Sequence, residues 1–221
     1  MSKISVEDLV AEANQNELET NALMKMLEAQ LDSLPAAISL PDVDPASALR
    51  EFVVEYINHV PSFISAVTFA AKDAGIEDYV IPFLEVATNY FVSPLSETQE
   101  KVNLVNLMEQ AYLSQRLIEE VNDQYILRAG IPLIPMELTK ANIIVHHLLG
   151  ETLANSLDDV VEETARQMTS QDTVYSSERF KEYVETRKGK GWEQVWKQWS
   201  DMTNSLAIDL DFGTRANKDA H

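Results

Sequence analysis

The chain has 221 residues, 45% of them hydrophobic, with 6 Gly, 8 Pro and no Cys. Scarce glycine and proline disfavour an all-β fold built on tight turns, and the absence of cysteine excludes disulfides, thiolate metal sites and a catalytic thiol. The formal charge is −19, which argues against nucleic-acid binding, because phosphate contacts need cationic side chains.

That charge is unevenly placed. Residues 1–170 carry 27 Asp/Glu against 9 Lys/Arg, whereas 171–221 carry 9 against 8. An acidic body suits a basic protein partner, and it also keeps a helical protein soluble. Ser2 to Glu12 is polar and lacks the apolar run of a secretory leader. No window reaches the roughly 18 uninterrupted apolar residues of a membrane span. The expectation is a cytoplasmic protein that does not enter a membrane.

The first long helical pattern runs from Ser5 to about Leu34. Ser5 is placed to cap the amide of Asp8, and acids in the first turn suit the helix dipole. Leu9, Ala13, Leu23, Met24, Leu27 and Leu31 share one face, on which Asn16 and Thr20 also fall. Pro35 to Asp44 reads as a loop. Asp44-Pro45 then opens a second long pattern as N-cap and first helical residue. Its face is Leu49, Val53, Tyr56, Ile57 and Val60, and Pro61 is expected to kink or restart it before Gly75. An aromatic helix at about 78–91 follows. The third long pattern starts near Ser96-Glu97 and stops at Gly130. An apolar connector, Ile131 to Leu138, leads to the fourth, Thr139 to Met168. Two shorter helices, 177–187 and 192–208, are split by Lys188-Gly189-Lys190-Gly191.

These elements predict an all-α fold: four long helices in an up-down bundle, a crossover helix within 76–96, and a carboxy-terminal helical pair. Residues 1–170 form the core, 171–208 an appendage packed on it, and 209–221 a flexible tail. Two antiparallel hairpins joined by a crossover resemble the ferritin-like arrangement. The resemblance is one of layout and rests on no motif, so it implies nothing about function.

A ferritin-like layout invites a test for the di-metal ligand set, which needs Glu-x-x-His on two helices. The sequence has no Glu-x-x-His. Glu55/His59 and His147/Glu151 are spaced i,i+4. Each histidine lies roughly 100°, and each glutamate roughly 140°, from the centre of its helix's apolar face. They read as boundary or surface pairs, so neither a metal site nor a cofactor is expected.

A second polar set points inward. The third pattern's stripe of Leu104, Met108, Ala111, Tyr112 and Ile118 also takes in Gln115 and Asn122, with Glu119 at its edge. The fourth pattern centres on Leu149, Leu153, Leu157 and Val160, with His146 among them and Gly150 allowing close approach. At roughly 1.5 Å rise per residue, Asn122 and His146 sit at similar height in an antiparallel pair. The expectation is a buried hydrogen-bonded network of Gln115, Glu119, Asn122 and His146, joined by Asn16 or Thr20. Such a network sets helix register, or it supplies a carboxylate and an imidazole to a ligand site.

Trp192, Trp196 and Trp199 share a stripe with Val195, Met202 and Leu206. It would pack on the bundle, or serve as a partner-binding face rich in the residue favoured at hot spots. Arg187 to Lys190 is the one concentrated positive run, suited to an acidic surface such as another copy of the chain. Phosphate-binding glycine loops, nucleophile elbows, H-E-x-x-H and EF-hand loops are absent. The sequence therefore reads as a non-enzymatic acidic helical interaction or regulatory protein, partnered by a basic protein or by itself. The alternative is a helical-bundle enzyme, or a small-ligand or metal binder, with its site around Glu119 and His146.

Overall fold

The computed structural model describes residues 6–74, 77–93, 102–130, 132, 138–169, 178–187 and 208–210. Among these there are eight α-helices and one two-stranded antiparallel pairing, so the fold is all-α as expected.

Helices α1 (Val6–Thr20) and α2 (Ala22–Gln30) replace the first long helix. Asn21 separates them in a left-handed conformation (φ 51°), which asparagine tolerates better than most residues. The Asn21 side chain does not cap α2. Glu17, buried on the last turn of α1, does so instead: its carboxylate accepts from the amides of Leu23 (3.0 Å) and Met24 (3.2 Å). A carboxylate at this end meets both the orphan N–H groups and the positive pole of the helix. The expected inward face survives the break, with Leu9, Ala13, Leu23 and Leu27 buried.

Helix α3 (Pro45–Ala74) starts where Asp44-Pro45 places it, and Asp44 Oδ1 accepts from the Ser47 amide. Pro61 lies inside α3 without restarting it. Helix α4 (Glu77–Val92) follows. Helix α5 (Leu104–Ala129) begins later than Ser96, because Asn103 is extended and its side chain caps the Asn106 amide. It ends at Gly130 (φ 73°), as expected.

The fourth pattern also divides, into α6 (Thr139–Leu149) and α7 (Glu151–Thr169), at Gly150. Gly150 adopts φ 82° and ψ 144°, open to glycine and strained for other residues. This break re-phases the buried stripe. On α6 it is Ala141, Ile144, Val145 and Leu148; on α7 it is Ala154, Leu157, Val161 and Ala165. Continued at 100° per residue, the two stripes differ by about half a turn. Leu153 and Val160, expected inside, are exposed, roughly 85° and 105° from the centre of α7's buried stripe.

Helix α5 is the hub, contacting α1, α2, α3, α4, α6 and α7, most extensively α4 and α7. Helix α8 (Glu178–Arg187) docks through Phe180, whose ring meets Tyr79 and Tyr125. The Pro35–Asp44 loop holds strand β1 (Ile38–Ser39), paired with β2 (Asp209–Leu210). The tail expected from Asp209 thus begins with two paired residues, held down beside buried Ile38 and Ile208. Trp192, Trp196 and Trp199, the helix expected around them, Gly75, 133–137 of the connector and 211–221 lie outside the described residues.

Candidate functional site: a polar seam between α3, α5, α6 and α7

At the hub, a run of polar side chains crosses four helices. Tyr56 of α3 is fully buried, and its hydroxyl donates to Asn142 Oδ1 of α6 at 2.6 Å. Asn142 Nδ2 donates to Glu119 Oε2 of α5, also at 2.6 Å. The same carboxylate takes Arg116 Nη1 at 2.7 Å and Thr139 Oγ1 at 2.6 Å. Arg116 turns its Nε to Asp158 Oδ1 of α7 at 3.0 Å. Asp158 also accepts from the Tyr112 hydroxyl, 3.0 and 3.1 Å from its two oxygens. His146 closes the line, its Nε2 3.2 Å from Asn155 Oδ1 and 3.6 Å from Asp158 Oδ2. A proton on Nε2 is the tautomer that suits these two oxygens.

Local helix geometry explains part of this. Tyr112, Arg116 and Glu119 are spaced i, i+4 and i+7, on one side of α5. Asn142 and His146 are one turn apart on α6. The antiparallel course of α5 against α6 and α7 then brings Glu119 to Asn142 and Arg116 to Asp158.

The electrostatics follow from the burial. Desolvation raises the Tyr56 hydroxyl well above its ordinary value, with the phenol of Tyr112 adding to it. Burial also raises Tyr112, and the charge of Asp158 adds to that. For Arg116, burial works against the charge, but Glu119 and Asp158 more than offset it and hold the guanidinium ionised. Burial, then the charges of Glu119 and Glu120, raise the carboxyl of Asp123. Burial and the neighbouring His146 lower His147, with Glu151 opposing them.

The four expected network residues are brought together only in part. Gln115 is buried and donates to the Tyr56 carbonyl at 2.8 Å, while its Oε1 has no partner. Glu119 is at the centre of the seam. Asn122 is buried on the same helix. His146 is not buried: 24% of its side chain is exposed, and it lies roughly 150° from the centre of α6's buried stripe. No hydrogen bond or ion pair joins it to Glu119; they connect through Arg116 and Asp158. Asn16 instead donates to the Val102 carbonyl, and Thr20 bonds back to Asn16. His59 hydrogen-bonds the Glu55 carbonyl, on a helix flank.

Sequence reasoning missed Tyr56, Tyr112, Arg116, Asn142 and Asp158. The tyrosines read as apolar, and the Gly150 break hid Asp158. The i,i+3 pair Arg116/Glu119 was the available signal. Among the described residues no group of three or more His, Asp or Glu is arranged to hold a metal ion. None of their helices is long and apolar enough to cross a membrane. An open groove of about 460 Å³, which shares no lining residue with the seam, is lined by Val10, Ala11, Asn58, Pro61, Ser62 and Ser65. No protein-family model matches this chain, nor does any curated protein or solved structure.

Proposed function

We propose that this chain is a non-enzymatic, cytoplasmic interaction protein whose acidic body binds a basic protein partner. The observation that supports this is the disposition of charge. Within the seam, the charged groups are tied to partners inside the protein: Glu119 accepts from three donors, and Arg116 is shared between two carboxylates. That is how a register-setting network is built. The acidic excess stands on the outside, where Glu12, Glu28, Glu51, Glu85, Glu151, Asp159 and Glu163 are exposed. The test is calorimetric titration with a lysine-rich amphipathic peptide and with its scrambled isomer. Saturable binding of the amphipathic peptide alone, weakening with salt, supports the proposal. Absence of saturable binding at low salt refutes it.

A ligand site around Glu119 and His146 is the second reading, favoured by one observation. Arg116, His146 and Asp158 keep 22%, 24% and 29% of their side-chain surface open. Tag-free protein that carries a stoichiometric metal ion, lost in His146→Leu, would put this reading first.

A further inference from the structure

The outer face of α7 is the strongest candidate for where such a partner sits. Inwardly, α7 is fixed by Ala154, Leu157, Val161 and Ala165, and by the Arg116–Asp158 ion pair. Outwardly, Leu153, Ser156, Val160, Glu163 and Gln167 form an exposed stripe spaced alternately by three and four residues. Leu153 is 36% and Val160 46% exposed, one heptad apart. Two acids belong to this face: Glu163 stands within the stripe and Asp159 beside it, roughly 80° from its centre, whereas Glu162 and Glu151 lie on the far side of the helix. The local cation, Arg166, is held by Glu162 and Glu163. Elsewhere Leu18, Val43 and Phe69 are exposed singly, which needs no explanation, and Ile126 and Leu127 are exposed side by side near the end of α5.

Building on the reading of the chain as an acidic interaction protein, we propose that this face of α7 docks a basic amphipathic helix of another protein. The alternating spacing is that of one helix packing along another. Leu153 and Val160 need apolar side chains opposite them. The carboxylates of Asp159 and Glu163 need cations opposite them, the kind of pairing that sets partner choice in paired helices. A second copy of α7 would set acids against acids, so charge selects against self-pairing.

The probe is a synthetic 20-residue peptide with leucines at the same alternating spacing and lysines beside them, titrated into the full chain by fluorescence anisotropy. The double variant Leu153→Asp/Val160→Asp should weaken binding about tenfold or more, because truncating central apolar anchors does so at helix-sized interfaces. Glu163→Lys with Asp159→Lys should weaken it too and flatten its salt dependence. Leu18→Asp and Phe69→Asp should bind as the parent chain does. All these positions are exposed, and circular dichroism checks that each variant is folded. Equal binding by every variant overturns the α7 assignment and leaves the broader reading standing. No binding by the parent chain overturns both. Concentration-dependent dimerisation abolished by Leu153→Asp/Val160→Asp, seen by sedimentation, makes the face a self-association surface and overturns the heterologous partner.

Discussion

Arg116 Nε stands 3.0 Å from Asp158 Oδ1, joining α5 to α7 across the whole of α6 in the sequence. Arg116 also pairs with Glu119, so its removal leaves the carboxylates of Glu119 on α5 and Asp158 on α7 without their shared cation. Breaking a buried pair from one side costs about 3–5 kcal/mol, and partial exposure should bring Arg116→Met to about 2 kcal/mol. Adding Glu119→Gln and Asp158→Asn should recover most of that loss in urea unfolding. A triple variant no more stable than Arg116→Met would show that the guanidinium acts through packing rather than charge.

Tyr56 offers a cleaner probe of the interior. Tyr56→Phe keeps the ring and removes the donor to Asn142 Oδ1, leaving a buried acceptor unpaired. The expected cost is about 1–3 kcal/mol. Unfolding midpoints within error of the parent would mean that a water molecule fills the gap.

Gly150 separates backbone strain from steric clash. A Cβ added there meets nothing within 4 Å, yet φ of 82° is poor for any L side chain. Gly150→Ala should therefore cost about 1–3 kcal/mol through the backbone alone. An unchanged midpoint would show that α6 and α7 tolerate a different joint.

Two titrating groups give opposite pH dependences. Burial raises Glu109, so the folded chain holds that proton more tightly than the unfolded chain. Its contribution is present below the ordinary carboxylate range and is lost as pH rises through it. Glu109→Gln should therefore raise the thermal midpoint at about pH 7 and change it little near about pH 3.5. Burial and His146 lower His147, so its contribution is present above the ordinary imidazole range and is lost as pH falls. His147→Gln should flatten the stability loss between about pH 7 and pH 5. Parallel pH profiles for parent and variants would contradict both assignments.

Much of the candidate seam was half-legible. Gln115 and Glu119 announce themselves as polar residues in or beside an apolar stripe of α5, and the structure places them at the polar junction. His146 aligns on the wheel with Leu153, Leu157 and Val160, but these lie beyond Gly150 and do not share its phase. Tyr56 and Tyr112 gave no warning, since a tyrosine in an apolar stripe looks the same whether or not its hydroxyl is used.

By itself, the sequence determined the helical class, the start of α3 at Asp44-Pro45, the end of α5 at Gly130 and the inward face of α1 and α2. Each of these depends on local chemistry: a cap, a proline, a left-handed glycine, or a periodicity summed over many residues. Tertiary structure alone decided that Asn21 and Gly150 break their helices, that α7 turns Leu153 and Val160 outward, and that Arg116 meets Asp158. One residue's dihedral angles change the phase of everything after it. That choice is made by packing against the rest of the molecule, which periodicity within one segment does not contain.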